Sequence, residues 1–192
     1  MKLVEGSFYT MRANVAADTL VVRAEPSLGV DAERLLRGAL VPTAPVGFKI
    51  FMGAKAGDWI VGGTTHLALL SERFITALQD LGATGWSSYP VVVADAKVGY
   101  LDGYRGLSVH GRCGPVLLSE RVASIRRVGP GPPLRLWRGL PFDESTWDGS
   151  DIFMSSGPVT AVMVSRRVAL EMNKLGLVGV AIAPTSEFAS PI

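Results

Sequence analysis

The sequence predicts an α+β protein of one domain, residues 1–192, in which a mixed or antiparallel sheet carries two similar helices. Three observations carry this. Residues 66–90 align without a gap on residues 160–184, at a constant offset of 94. Within each segment the apolar residues change from a continuous run to a helical stripe and back to a run. Elsewhere the chain consists of short apolar runs punctuated by many of its 22 Gly and 12 Pro, the pattern of strands joined by tight turns.

Taken in order, Phe8 to Arg12, Thr19 to Arg23, Phe48 to Met52 and Asp58 to Val61 read as strands. A helix is predicted between them, capped by Asp31, running through AERLLR and stopping at Gly38. In the first matched segment Leu67 to Leu70 is a strand, Ser71 the helix N-cap, and Phe74, Leu78 and Leu81 the buried stripe. Gly82 is placed to end the helix in a left-handed conformation, and Trp86 to Val93 follows as a strand, interrupted by Pro90. The second segment repeats this with Ala161 to Val164, Ser165, then Val168, Met172 and Leu175, then Gly176 and Val180 to Ala183, closed by Pro184. Six positions are identical between the segments, namely Ser71/Ser165, Arg73/Arg167, Leu81/Leu175, Gly82/Gly176, Gly85/Gly179 and Pro90/Pro184. A duplicated strand-helix-strand unit is therefore expected.

Between the segments, residues 99–118 read as strands through Tyr100, Leu101, Tyr104, Leu107, Val109 and Val116 to Leu118. The LLSER of the first segment recurs within residues 116–122. No third helix is read there, because Arg126, Arg127 and GPGPP follow, and residues 129–133 are a loop.

The composition narrows the function classes. At 48% hydrophobic and 19% charged residues the chain is too apolar for disorder, yet no apolar run approaches a membrane span. The start MKLVEGSFYT leaves no room for a secretory signal, so a soluble cytoplasmic protein is expected. The single Cys113 forbids an internal disulfide. A formal charge of +2 does not call for nucleic acid. The charge is unevenly spread, however. Residues 103–138 hold Arg105, Arg112, Arg121, Arg126, Arg127, Arg135 and Arg138 against Glu120 alone, and then the sign reverses at Asp143, Glu144, Asp148 and Asp151.

That acidic loop, GLPFDESTWDGSDIF at 139–153, is the most distinctive segment. It admits a structural reading in which Asp148 and Asp151 make Asx turns about Gly149 while Trp147 and Phe153 pin it to the core. It also admits a partner-binding surface of Asp143, Glu144, Trp147, Asp148 and Asp151, or an oxygen-rich cation site without EF-hand spacing. Ser71 and Ser165 lack the G-x-S-x-G elbow of a catalytic serine and are explained by capping. His66, His110 and Cys113 are too few for a structural zinc site. The Arg-rich stretch with Trp137 is a solvated surface, a nucleic-acid contact in which Trp137 or Tyr104 stacks on bases, or a patch for an acidic protein partner. P-loop, GxGxxG and HExxH motifs are absent.

The two runs of S-[ER]-R, helix, L-G-x-x-G and Pro, with WDGSDIF and LDGYRGLSVHGRCGP ahead of the second, resemble a bacterial immunity-protein family. It occurs in polymorphic-toxin and contact-dependent systems of myxobacterial type and includes the double-CXXCG motif immunity proteins. The likeness covers residues 58–184, but this chain has one cysteine and no CXXC. The resemblance implies a non-enzymatic cytoplasmic protein, without cofactor, that binds and neutralises one cognate toxin domain. An enzyme or small-ligand module with a site near His110, Cys113, Asp148 and Asp151 is the alternative.

Overall fold

The computed structural model describes residues 6–25, 31–63, 66–95, 99–126 and 133–191. It is a mixed α+β structure, but the described residues form three sheets rather than one. The largest contains β2 (Val21–Ala24), β3 (Val46–Met52), β4 (Trp59–Val61), β5 (Ala68–Ser71), β6 (Trp86–Asp95), β7 (Gly99–Leu101) and β8 (Tyr104–Val109). Its order is β3-β2-β4-β5-β8-β6-β7, and β6 also pairs in parallel with β3, so six strands close into a ring. The second sheet runs β14-β1-β13-β12-β9, formed by β1 (Phe8–Ala13), β9 (Gly111–Cys113), β12 (Ile152–Ser155), β13 (Met163–Ser165) and β14 (Val180–Pro184). The third is a ribbon of β10 (Val122–Arg126), β11 (Leu134–Arg138) and β15 (Ala189–Pro191).

Pro90 fits inside β6 because that strand changes partners there. Trp86 to Pro90 pair with β8, and the parallel pairing to β3 begins only at Val91, so the missing N-H of Pro90 costs that second ladder nothing.

The helices are α1 (Asp31–Leu36), α2 (Glu72–Asp80) and α3 (Arg166–Lys174). In α1, Ala32, Leu35 and Leu36 are buried and the Ser108 hydroxyl of β8 donates to the Leu35 carbonyl at 2.7 Å. Asp31, expected as the cap, is instead the first helical residue, and its carboxylate accepts from Arg34 at 2.9 Å. The stripes of α2 and α3 face the core as the spacing predicts, with Phe74, Leu78, Val168 and Met172 buried and Leu81 and Leu175 packed against them. Burial of each such side chain stabilises by roughly 1.5–3 kcal/mol. Gly82 (φ 63°) and Gly176 (φ 60°) each follow the C-cap residue in the left-handed conformation.

Three expectations are corrected. Val116 to Leu118 is not a strand. The Val116 amide donates to the Ser155 hydroxyl, the Leu117 amide donates to the Pro141 carbonyl, and Leu118 opens a 3-10 turn to Glu120. Ser165 occupies the N-cap position of α3 and donates its hydroxyl to Asp151 at 2.7 Å, but makes no capping bond. Asp151 likewise makes no Asx turn about Gly149. The 129–133 loop falls largely outside the described residues, except Pro133.

The main core joins the ring to α1, α2, α3 and much of the second sheet. A smaller core of Phe8, Cys113, Val116, Leu140, Phe153 and Met163 lies under the acidic loop. Tyr89, 4% exposed, stacks its ring against Gly106, and its buried hydroxyl has no hydrogen-bond partner among the described residues. Burial pushes this hydroxyl's pKa well above the ordinary tyrosine value. Tyr89→Phe is accordingly expected to be neutral or to stabilise by up to about 1 kcal/mol, since it removes an unsatisfied group and keeps the ring. A urea midpoint clearly below that of wild type would contradict this.

Candidate partner-binding surfaces

The identical Ser and Arg pairs of the two matched segments are brought to two buried aspartates, Asp58 and Asp151, each 8% exposed. The Asp58 carboxylate accepts from the Ser71 hydroxyl at 2.6 Å and the Val178 amide at 2.7 Å, with Arg73 3.7 Å away. The Asp151 carboxylate accepts from the Ser165 hydroxyl at 2.7 Å, the Thr84 amide at 3.1 Å, and Arg167. Val178 and Thr84 are themselves equivalent in the alignment. The backbone pairing is reciprocal as well. Asp58 N donates to Val178 O at 2.7 Å, and Ile152 N donates to Thr84 O at 3.0 Å.

Each arginine also crosses to the other segment. Arg73 donates to the Leu175 carbonyl at the end of α3, and Arg167 donates to the Leu81 carbonyl at the end of α2, 2.8 Å away. Cations are favoured at helix C-termini, where carbonyls lack intrahelical donors. The clasp therefore fastens the two segments to one another. Burial by itself would raise the Asp151 pKa. The hydrogen bonds from Arg167, Ser165 and Thr84, with the Arg167 charge, outweigh it and hold the carboxyl below the ordinary aspartate value. Sequence reasoning missed Asp58. Its signal is the pairing of DWIV with DIFM, each an Asp heading an apolar run ahead of S-x-R, which a one-residue difference in spacing places off the gapless alignment.

The acidic loop is rigidly supported. Trp147 packs edge-on to Phe8 with ring centroids 5.0 Å apart and tilts against Phe153 at 5.7 Å, and its indole N-H donates to the Ser150 carbonyl at 2.9 Å. Asp143 caps a 3-10 turn over Glu144–Thr146 by accepting from the Ser145 amide at 3.0 Å and the Ser145 hydroxyl at 2.7 Å, which lowers its pKa. Asp148 accepts from the Ser150 amide at 2.9 Å and the Arg112 amide at 2.7 Å. Of the five residues proposed for this surface, Asp143, Glu144 and Asp148 are exposed, Trp147 is half-buried, and Asp151 is turned inward into the clasp.

The alternative constellation is divided among different partners. His110 Nε2 lies 2.7 Å from the Ser87 hydroxyl, Asp151 faces Thr84, and only Cys113 and Asp148 influence one another across Arg112. Burial pushes the Cys113 thiol up to about 11, and the Asp148 charge adds to this against Arg112. At pH 8 about 0.1% would be thiolate. Cys113 is 2% exposed, so its reaction with Ellman's reagent at pH 8 is expected to proceed only as the protein unfolds. Labelling at the rate of a free thiol in the folded protein would contradict the structure.

On the ribbon, Val122, Ile125 and Leu134 are 65%, 72% and 49% exposed, beside exposed Arg135 and Arg138. Arg121 ties its root down, donating to the Gly139 and Trp137 carbonyls at 3.0 Å each. Arg112 is partly buried and donates to the Val109, Gly111 and Arg37 carbonyls, so the Arg-rich stretch does not form one face. Among the described residues no helix is long and apolar enough to cross a membrane. No protein-family model and no curated protein matches the chain.

Proposed function

We propose that this protein acts by binding one protein partner, and that the partner is a cognate toxin domain which it neutralises in the cytoplasm, as an immunity protein. The resemblance supplies the partner class. The observation that carries the binding role is the division of polar groups. The Ser71 and Ser165 hydroxyls and the Asp58 and Asp151 carboxylates are turned inward and consumed by the clasp. Meanwhile two rigidly anchored outer segments, loop 143–148 and the β10–β11 ribbon, present opposite charge to solvent. Preformed charged surfaces with aromatic and Arg neighbours suit fast encounter and slow release. The reciprocal clasp also supports reading residues 66–90 and 160–184 as two copies of one strand-helix-strand unit, which serves as scaffold.

The test is co-expression in a bacterial host with the product of the gene immediately upstream. Restored growth together with co-purification of the pair is the expected result. Failure of both overturns the proposal.

A further inference from the structure

The ribbon's cationic side carries one inference further, resting on the protein-binding reading above. Cross-strand partners share a face, so Ala123 opposite Trp137 and Ile125 opposite Arg135 lie on one side of the β10–β11 pair. Arg121 is extended (φ −72°, ψ 140°) immediately before β10, and the same alternation puts it on that side. Arg121 also lines a cleft of about 380 Å³ between β1, β4 and the turn before β15. The floor of this cleft includes Met11, Trp59 and Val162, all buried, and its rim carries exposed Arg12 and His66. That volume lies within the range that encloses a small ligand or a large side chain.

The charged side chains that line the cleft and the Ile125 side of the ribbon include Arg12, Arg121 and Arg135. Arg12 and Arg135 are exposed and, among the described residues, neither forms a side-chain ion pair, whereas Asp58 and Asp151 are held within their own clasps. A 72%-exposed Ile beside Arg and Trp is the composition of a contact centre, in which apolar and Arg anchors carry most of the affinity.

We propose that the cleft and the Ile125–Arg135–Trp137 face form one docking surface for an acidic segment of the partner protein. An aromatic or aliphatic side chain of that segment enters the cleft, and its carboxylates meet Arg12 and Arg135. The acidic loop then serves as a supported edge of the scaffold rather than the primary contact.

The probe is a fluorescein-labelled peptide with a central Phe flanked on each side by two Glu, read by anisotropy at 20 and 150 mM NaCl. A Lys-flanked peptide and a uridine 12-mer serve as comparisons. The expected result is salt-sensitive binding of the acidic peptide alone, weakened tenfold or more by Arg12→Glu/Arg135→Glu and unchanged by Glu144→Lys. Absence of binding, insensitivity to the double substitution, or tighter binding of the uridine oligomer overturns the surface. Circular dichroism melting confirms that the variants fold, all three positions being exposed. In the co-expression assay the double variant is expected to lose growth rescue while Glu144→Lys keeps it, and the reverse pattern also overturns the surface. If wild type neither rescues growth nor co-purifies with the toxin, the immunity reading falls, while the peptide arm still decides the surface.

Discussion

Asp151→Ala is expected to lower the free energy of unfolding by about 3 kcal/mol at pH 7. Removing one partner of a buried ion pair costs roughly 3–5 kcal/mol, and the low end applies here because the Arg167 side chain is 51% exposed and can recover water. The loss strands several donors at once. The Ser165 hydroxyl, the Thr84 amide and the Arg167 guanidinium all converge on this buried carboxylate. Asp151→Asn retains an acceptor and should cost about half as much. The pH dependence distinguishes charge from packing. The native carboxyl ionises more readily than the unfolded one, so its contribution is complete above about pH 4 and disappears as the pH falls through the lower native value. Wild type should therefore lose stability between about pH 4 and pH 2 more steeply than Asp151→Asn. Urea unfolding at pH 7, 4 and 2.5 measures both effects, and parallel acid limbs for the two proteins would show that the charge contributes nothing.

The clasp also marks the boundary of what the sequence discloses. Helical spacing fixed the stripes Phe74–Leu78–Leu81 and Val168–Met172–Leu175, and glycines following them placed both helix ends, because these signals are local. Partner choice is not local. Ser71 and Ser165 each stand two residues before an Arg at the head of a helix and have the same backbone conformation. Both give their hydroxyls to an aspartate, Asp58 or Asp151, yet Ser71 also accepts from the Phe74 amide at 3.2 Å and Ser165 makes no equivalent bond. Strand β12 was illegible for a related reason, since IFMS is buried on both faces and shows no alternation. The ribbon strands β10 and β11 were obscured by arginines and Ser, which their exposure permits. In the candidate surface, anchoring by Trp147 and Phe153 could be read from their flanking positions. The inward turn of Asp151 could not, because it depends on Thr84 and Arg167 arriving from distant parts of the chain.

Gly85→Ala should cost about 3–4 kcal/mol, and Gly82→Ala, three residues earlier, only about 1 kcal/mol. Both glycines have positive φ, 84° and 63° respectively, so both substitutions pay the penalty of roughly 1–2 kcal/mol for an L-residue in that region. Their surroundings differ. A Cβ at Gly82 meets nothing within 4 Å, whereas at Gly85 it would lie 2.3 Å from the Ile152 carbonyl oxygen and 2.5 Å from Ser150 Cβ. One of those neighbours is backbone and cannot rotate away, so an overpacking cost of about 1–3 kcal/mol is added. Relief would require moving Ser150–Ile152, which also rests on Gly111, where a Cβ would meet the same carbonyl oxygen at 2.3 Å. It would also disturb the amides of His110 and Gly111, which donate to the Gly85 carbonyl at 2.8 and 2.9 Å. The displaced segment includes Asp151, so Gly85→Ala should loosen the clasp and speed hydrogen exchange at the His110, Gly111 and Ser165 amides. Gly82→Ala should leave those amides protected. Equal losses of stability for the two substitutions would mean that backbone conformation alone, and not the seating of Ser150–Ile152 on glycine, sets the cost.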